Sequence, residues 1–159
     1  MPEKPKPPAF DPMTVATHVG SSYPAAFAGP SAERVKRRLG DHGGLKNFGV
    51  NHVTLPPRSE SSVRHWHTRE DEFVMVLTGT VTLVTDAGEQ VLSPGMCAAF
   101  PAGRSDGHAL LNRTDTEATY LEVGDRIDGD EVDYPDVDMQ VRWIDGDYVF
   151  VRRSDGTPY

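Results

Sequence analysis

Apolar and polar positions alternate over short stretches of this chain, and few stretches have the spacing of an amphipathic helix. Residues 47–55 predict a first core strand. Successive strand side chains face opposite ways, so Phe48, Val50, His52 and Thr54 share one side and Val53 and Leu55 the other. Pro56-Pro57 ends it. Residues 61–67 and 72–77 predict two further strands, the second closed by Thr78-Gly79. Residues 81–85 run into Asp86-Ala87-Gly88, a hairpin signal, and 90–92 return. After the turn Ser93-Pro94-Gly95 come a strand at 96–100, the turn Pro101-Ala102-Gly103, a polar loop at 104–107, and strands at 108–111 and 117–123. Many short strands punctuated by Gly and Pro predict an all-β, antiparallel sandwich or barrel.

The two ends have a different character. Residues 1–12 are rich in proline and charge and predict a loose arm. Residues 13–30 carry scattered apolar side chains, including Tyr23 and Phe27, suited to an arm lying across the domain or a partner subunit. Residues 31–39 predict a short helix, with Ser31 as N-cap, Lys36, Arg37 and Arg38 complementing the dipole near its end, and Gly40 stopping it. Residues 125–147 are acidic and rich in turns, with Tyr134, Met139, Val141 and Trp143 as apolar islands, and 147–152 predict one more strand. The expected organisation is an arm over 1–46, a β-barrel over 47–124, and an acidic extension over 125–159 with one or two strands. In the strand at 72–77, Phe73, Met75 and Leu77 face one way and Val74 and Val76 the other, so both faces are apolar. Such a strand is expected to be covered on both sides, by the arm or by a second subunit, which predicts a homodimer.

Composition narrows the function classes. A length of 159 residues fits one domain with extensions. A net charge of −8 argues against nucleic acid or an anionic membrane as partner, since both need a positive surface. Those acids concentrate late in the chain and read as a solvated tail. No segment is apolar for long enough to span a bilayer, and the N-terminus lacks the hydrophobic run of a signal peptide. The single cysteine, Cys97, needs no oxidising compartment, and its apolar neighbours predict a buried small residue. A cytoplasmic protein is the expectation.

The candidate chemistry lies in the middle. His65 and His67 fall on one face of an extended segment with Trp66 on the other, and a cluster of acids follows. Imidazole pairs presented this way suit a divalent metal, with a carboxylate as further ligand. Strand phase disfavours Asp71 and leaves Glu70 and Glu72 open. His-x-His, four residues, Glu72, six residues and Gly79 resemble the first motif of the cupin superfamily. Gly95, Pro101, Gly103, His108 and Asn112 resemble its second. Ser59 stands where the family usually has glycine, and the gap before His108 is longer than usual. The resemblance, over roughly residues 47–124, implies a jelly-roll barrel in which His65, His67, Glu72 and His108 ligate one divalent ion of Fe, Mn, Ni or Zn. It selects Glu72 by the spacing to Gly79.

Function follows less sharply. A small metal-dependent enzyme, a dioxygenase or a sugar or acid isomerase-epimerase, is one expectation, acting on a small polar or acidic molecule. A non-catalytic barrel that binds or senses a small ligand is the alternative. Tyr120 and Glu122 share a strand face and are candidate acid or base residues if that face is inward. A sugar-phosphate substrate would need a basic pair in the pocket, which the sequence does not clearly show.

Overall fold

The apolar positions of the central strands meet in one core. Val53, Leu55, Val74, Val76, Val81, Leu83, Leu92, Leu110, Ala118 and Tyr120 form it, and Ala98 and Phe100 pack against it. The structure is a computed structural model that describes residues 8–159; the proline-rich stretch at 1–7 lies outside the described residues. In chain order the strands are β1 Thr17–Val19, β2 Val35–Arg38, β3 Phe48–Leu55, β4 Trp66–His67, β5 Glu72–Thr78, β6 Val81–Thr85, β7 Gly88–Leu92, β8 Cys97–Phe100, β9 Ala109–Leu111, β10 Ala118–Asp125, β11 Val132–Tyr134, β12 Met139–Ile144 and β13 Asp147–Val151. One helical turn, α1 Leu39–His42, sits between β2 and β3. Every strand pairing is antiparallel. A six-stranded sheet runs β1-β2-β3-β10-β5-β8, a three-stranded sheet β7-β6-β9 and a four-stranded sheet β13-β12-β11-β4. The all-β antiparallel class expected from the strand pattern is observed, and the architecture is consistent with the jelly roll that the resemblance implies.

The helix expected over 31–39 is not there. Ser31 ends a single 3-10 turn, Gly29–Ser31, and is fully buried, and the chain then extends into β2, paired with both β1 and β3. The propensities were weak, and two ladders of backbone hydrogen bonds outweighed them. Lys36 and Arg38 therefore share one face of a strand, opposite Val35 and Arg37. Gly40 serves packing: a Cβ there would lie 2.8 Å from the Val50 nitrogen, so glycine lets this turn close on β3. Gly79 does need its conformational freedom, with φ of +70° and a Cβ that would meet the Glu117 carbonyl at 2.6 Å.

Three other expectations change. The strand expected at 61–67 is continuous only over Trp66–His67, with isolated bridges Glu60↔Leu111 and His65↔His108 before it. Cys97 is exposed, because it lies on the outer face of β8 opposite Met75. The acidic extension carries three strands, and it has a core of its own. Val132, Tyr134, Met139 and Val141 are buried there, and Tyr23 and Phe27 from the N-terminal segment pack on them. Tyr23 meets Tyr134 and Phe150 edge to face, at ring separations of 5.6 and 5.9 Å. The arm thus covers the C-terminal sheet of its own chain. It leaves the outer face of β5 open, with Phe73, Met75 and Leu77 each more than one-third exposed. No helix among the described residues is long and apolar enough to cross a membrane.

Candidate metal centre

Three histidines and a glutamate reach one point from separate segments. His65 and His67 come from β4 and the residue before it, Glu72 opens β5, and His108 stands just before β9. Reciprocal backbone hydrogen bonds between His65 and His108, of 3.1 and 2.8 Å, hold the two histidine segments together. The Nε2 atoms of His108, His67 and His65 lie 2.9, 3.5 and 3.7 Å from the same oxygen, Glu72 Oε2. His65, His67 and Glu72 offer donor atoms all within 4.8 Å of one another. The Phe100 ring stacks on His108 at 3.6 Å, walling one side.

The outer ring nitrogens decide what the inner ones present. His65 Nδ1 is 3.0 Å from the Val63 carbonyl, and His67 Nδ1 is 2.6 Å from Asp130 Oδ2. Both partners only accept, so both Nδ1 atoms carry the proton, and in the neutral rings Nε2 keeps its lone pair. Glu72 Oε2 is buried, and its neighbours are the three Nε2 atoms, with that of His108 nearest at 2.9 Å. Burial pushes the Glu72 carboxyl upward, but His108 and His65 outweigh it and hold the group well below the ordinary carboxylate range. For His67, burial opposes charge, yet the Asp130 hydrogen bond and the nearby Glu72 charge carry its pKa above the ordinary value. Burial lowers that of His108. The lone pairs of His65 and His67 and an ionised carboxylate oxygen facing one another in a buried place suit a cation between them, as does a proton on His108 Nε2 for the carboxylate alone. The donor set of imidazole nitrogen and carboxylate oxygen fits a divalent metal ion.

Of the two acids that strand phase leaves open, Glu72 is the one among the imidazoles. Glu70 lies with His67 and Asp130 in a second grouping. The donor atoms of that grouping are already engaged: Asp130 accepts from His67, Arg69 and Glu70, and Glu70 accepts from the Ile127 amide. Asn112 builds the turn before β10, donating to the carbonyls of Leu55, Pro56 and Thr116 and accepting from Thr114.

Beside the cluster opens a cavity of about 220 Å³, lined by His65, Glu72 and His108 and also by Tyr120 and Glu122. The strand face shared by Tyr120 and Glu122 is therefore the inner one. The Tyr120 hydroxyl is buried without a hydrogen-bond partner, and burial raises its pKa well above the ordinary value. Arg34 and Lys36 line the same cavity. This is the basic pair that the sequence hid in a supposed helix; the signal that would have found it is the two-residue spacing Arg34-x-Lys36-x-Arg38. Lys36 Nζ is 2.8 Å from Glu122 Oε1, which Asn51 also reaches at 2.9 Å. The Arg34 guanidinium donates only to neutral carbonyls, those of Ser61 at 2.6 Å and Gly20 at 2.9 Å. Its charge has no carboxylate partner among the described residues. Asp130 was missed as well, and no spacing in the sequence marks it. Arg104, by contrast, is exposed, as a loop arginine is expected to be.

Comparisons with known proteins bear on the fold. A family profile described as a cupin domain matches residues 51–124. No functionally curated protein sequence matches the chain. Among solved structures, a sugar phosphate isomerase of the cupin superfamily from Silicibacter pomeroyi is 45% identical with a TM-score of 0.90, over 96% of both chains. A putative sugar phosphate isomerase from Acidithiobacillus ferrooxidans is 32% identical with a TM-score of 0.72, over 78% of this chain and 79% of that one. The polyketide cyclase RemF from Streptomyces resistomycificus, at 20% identity and a TM-score of 0.61 over 74% of this chain and 78% of that one, shares the fold alone. With both histidine motifs on a jelly-roll scaffold and a relative this similar along nearly its whole length, the chain belongs to the cupin superfamily.

Proposed function

We propose that this cupin is a metal-dependent isomerase of a small phosphorylated sugar, with His65, His67, Glu72 and His108 holding one divalent ion of Fe, Mn, Ni or Zn. One observation carries the reading: a single cavity is lined by His65, Glu72 and His108 of the cluster, the Arg34–Lys36 pair and Glu122. Two solved relatives above 30% identity, one a sugar phosphate isomerase and the other a putative one, support it. A bound ion supplies Lewis acidity towards a substrate carbonyl or hydroxyl. The remaining work falls to side chains. Arg34 presents a planar fork suited to phosphate oxygens, and Lys36 adds a second positive charge. Converting an aldose to a ketose moves a proton between adjacent carbons and another between their oxygens, with no net oxidation. Glu122 takes and returns the carbon-bound proton. Burial pushes its pKa up, but the Lys36 charge and the hydrogen bonds from Lys36 and Asn51 outweigh burial, so it stands ionised at neutral pH. Tyr120, kept protonated by burial, donates to a substrate oxygen.

A second reading, a barrel that binds its ligand without turning it over, draws on the Lys36–Glu122 pair, which already occupies the carboxylate. The test is to determine the native metal by mass spectrometry, then incubate aldose and ketose phosphates in D₂O with the metal-loaded protein. The expected result is deuterium at the carbon beside the carbonyl. Glu122→Gln should lower that rate by roughly 10²–10⁴-fold while ligand still binds. Calorimetric binding without exchange would overturn isomerase activity in favour of the second reading, and oxygen uptake would move the assignment to a dioxygenase. The exposed β5 face supports a homodimer, and a monomeric mass by light scattering would refute it.

A further inference from the structure

Asp130 comes from the segment that sequence alone reads as solvated tail, yet it is 2% exposed. Its two oxygens have different partners. Oδ1 accepts the backbone N–H groups of Arg69 at 2.7 Å and Glu70 at 3.2 Å. Oδ2 accepts the Nδ1 proton of His67 at 2.6 Å. Glu70 does not compete, since its nearer oxygen is 3.7 Å from the same nitrogen and its Oε1 accepts from Ile127. Backbone register fixes the arrangement: β11 pairs with β4 through Val132↔His67, two residues beyond Asp130.

The geometry points to Asp130 as the positioning residue of the metal centre: it locks His67 in the Nδ1–H tautomer and in one ring orientation, and so makes metal affinity depend on the C-terminal sheet. The inference rests on the metal-centre reading given above. A neutral imidazole has one N–H, and only with that proton on Nδ1 does Nε2 keep a lone pair turned towards Glu72. A carboxylate behind a ligating histidine fixes its tautomer and raises its basicity as a donor. Asp130 touches no substrate; it acts through His67. It also ties the loop at 68–70 down, so a test must separate the two roles.

Asp130→Asn separates them. The amide oxygen can still accept from Arg69 and Glu70, because the reverse orientation would set an NH₂ against two N–H donors. The NH₂ group then faces His67 Nδ1 and can only donate, which moves the ring proton to Nε2. The experiment is long-range ¹H–¹⁵N correlation on ¹⁵N-histidine-labelled metal-free protein at a pH where the ring is neutral, with zinc affinity measured against a chromogenic chelator. The wild type should show His67 as the Nδ1–H tautomer. Asp130→Asn should show Nε2–H and bind zinc roughly 10–100-fold more weakly, with the melting temperature of the metal-free protein little changed. An Nε2–H tautomer in the wild type, or unchanged zinc affinity in Asp130→Asn, would overturn the assignment. Should the variant fail to fold, the wild-type tautomer still decides. A wild type that binds no zinc but shows Nδ1–H would sink the metal reading and leave Asp130 as the group that sets the His67 proton.

Discussion

The barrel of β3 to β10 and the C-terminal sheet of β11 to β13 reach the same centre by different routes. The barrel announces itself: its ligand residues sit at fixed spacings, and its strands alternate apolar and polar positions. The C-terminal segment is acidic, rich in turns and without a motif, yet it places a buried carboxylate 2.6 Å from a histidine of the cluster. It also closes over the cavity with Tyr134 and Phe150. What separates the two is the sort of constraint each obeys. Several side chains that meet at one ion must come from strands in fixed register, which leaves a trace along the chain. One carboxylate behind one histidine needs only a short local pairing, here β11 on β4, and leaves none.

That contrast can be broken most forcefully at the cluster itself. His65→Ala combined with His108→Ala should abolish stoichiometric metal, as read by mass spectrometry of protein purified without chelator. Retained metal would move the centre elsewhere. Next come matched core truncations. Leu55 in the barrel and Met139 in the C-terminal sheet are both 0% exposed. Leu55→Ala and Met139→Ala should each cost about 2–5 kcal/mol in denaturant unfolding. A cost below about 0.5 kcal/mol at Met139, the range of a surface change, would return the extension to the status of a solvated tail. Substrate affinity sharpens the comparison further. Arg34→Ala, losing a charge-assisted contact worth about 1.5–3 kcal/mol, should raise KM for a phosphorylated sugar by roughly 10–100-fold, and should leave affinity for the unphosphorylated sugar nearly unchanged.

The smallest effect lies where the two regions touch at the surface. Arg64 binds Asp86 of the β6–β7 turn and Asp136 of the extension, clasping one to the other. The hydrogen bonds from Arg64 hold the Asp136 carboxyl below its ordinary value. A depressed carboxylate stabilises the fold above its unfolded value near about 4, and that contribution fades as pH falls through the folded value. Because Asp136 is more than half exposed, solvent screening limits the clasp to about 1 kcal/mol or less. Asp136→Asn should therefore lower stability slightly at pH 7 and by less as pH falls below about 4, by denaturant unfolding at each pH.

The residues that misled are as instructive as those that did not. Lys36, Arg37 and Arg38 sit close to Gly40, and a short basic run before a glycine is a fair helix terminus on local grounds. The competing signal, alternation of Arg34, Lys36 and Arg38, is only three residues long and gains meaning once β1 and β3 are there to pair with β2. Cys97 looked buried because its neighbours are apolar, but on a half-exposed sheet face neighbours in sequence do not share an environment. Glu72 stood apart from Glu70 only by its spacing to Gly79, a family regularity that the positive φ and tight packing of that glycine explain physically.

By itself the sequence determined the all-β class, the succession of barrel strands along the chain and the three histidines of the cluster, because strand alternation and ligand spacing are local and periodic, while Glu72 was selected by the resemblance to the cupin superfamily. Tertiary structure alone decided that Arg34 and Lys36 face the cavity, that the N-terminal segment packs on its own C-terminal sheet, and that Asp130 stands behind His67. Those contacts join residues 27 or more positions apart, and no local periodicity records a pairing at that distance.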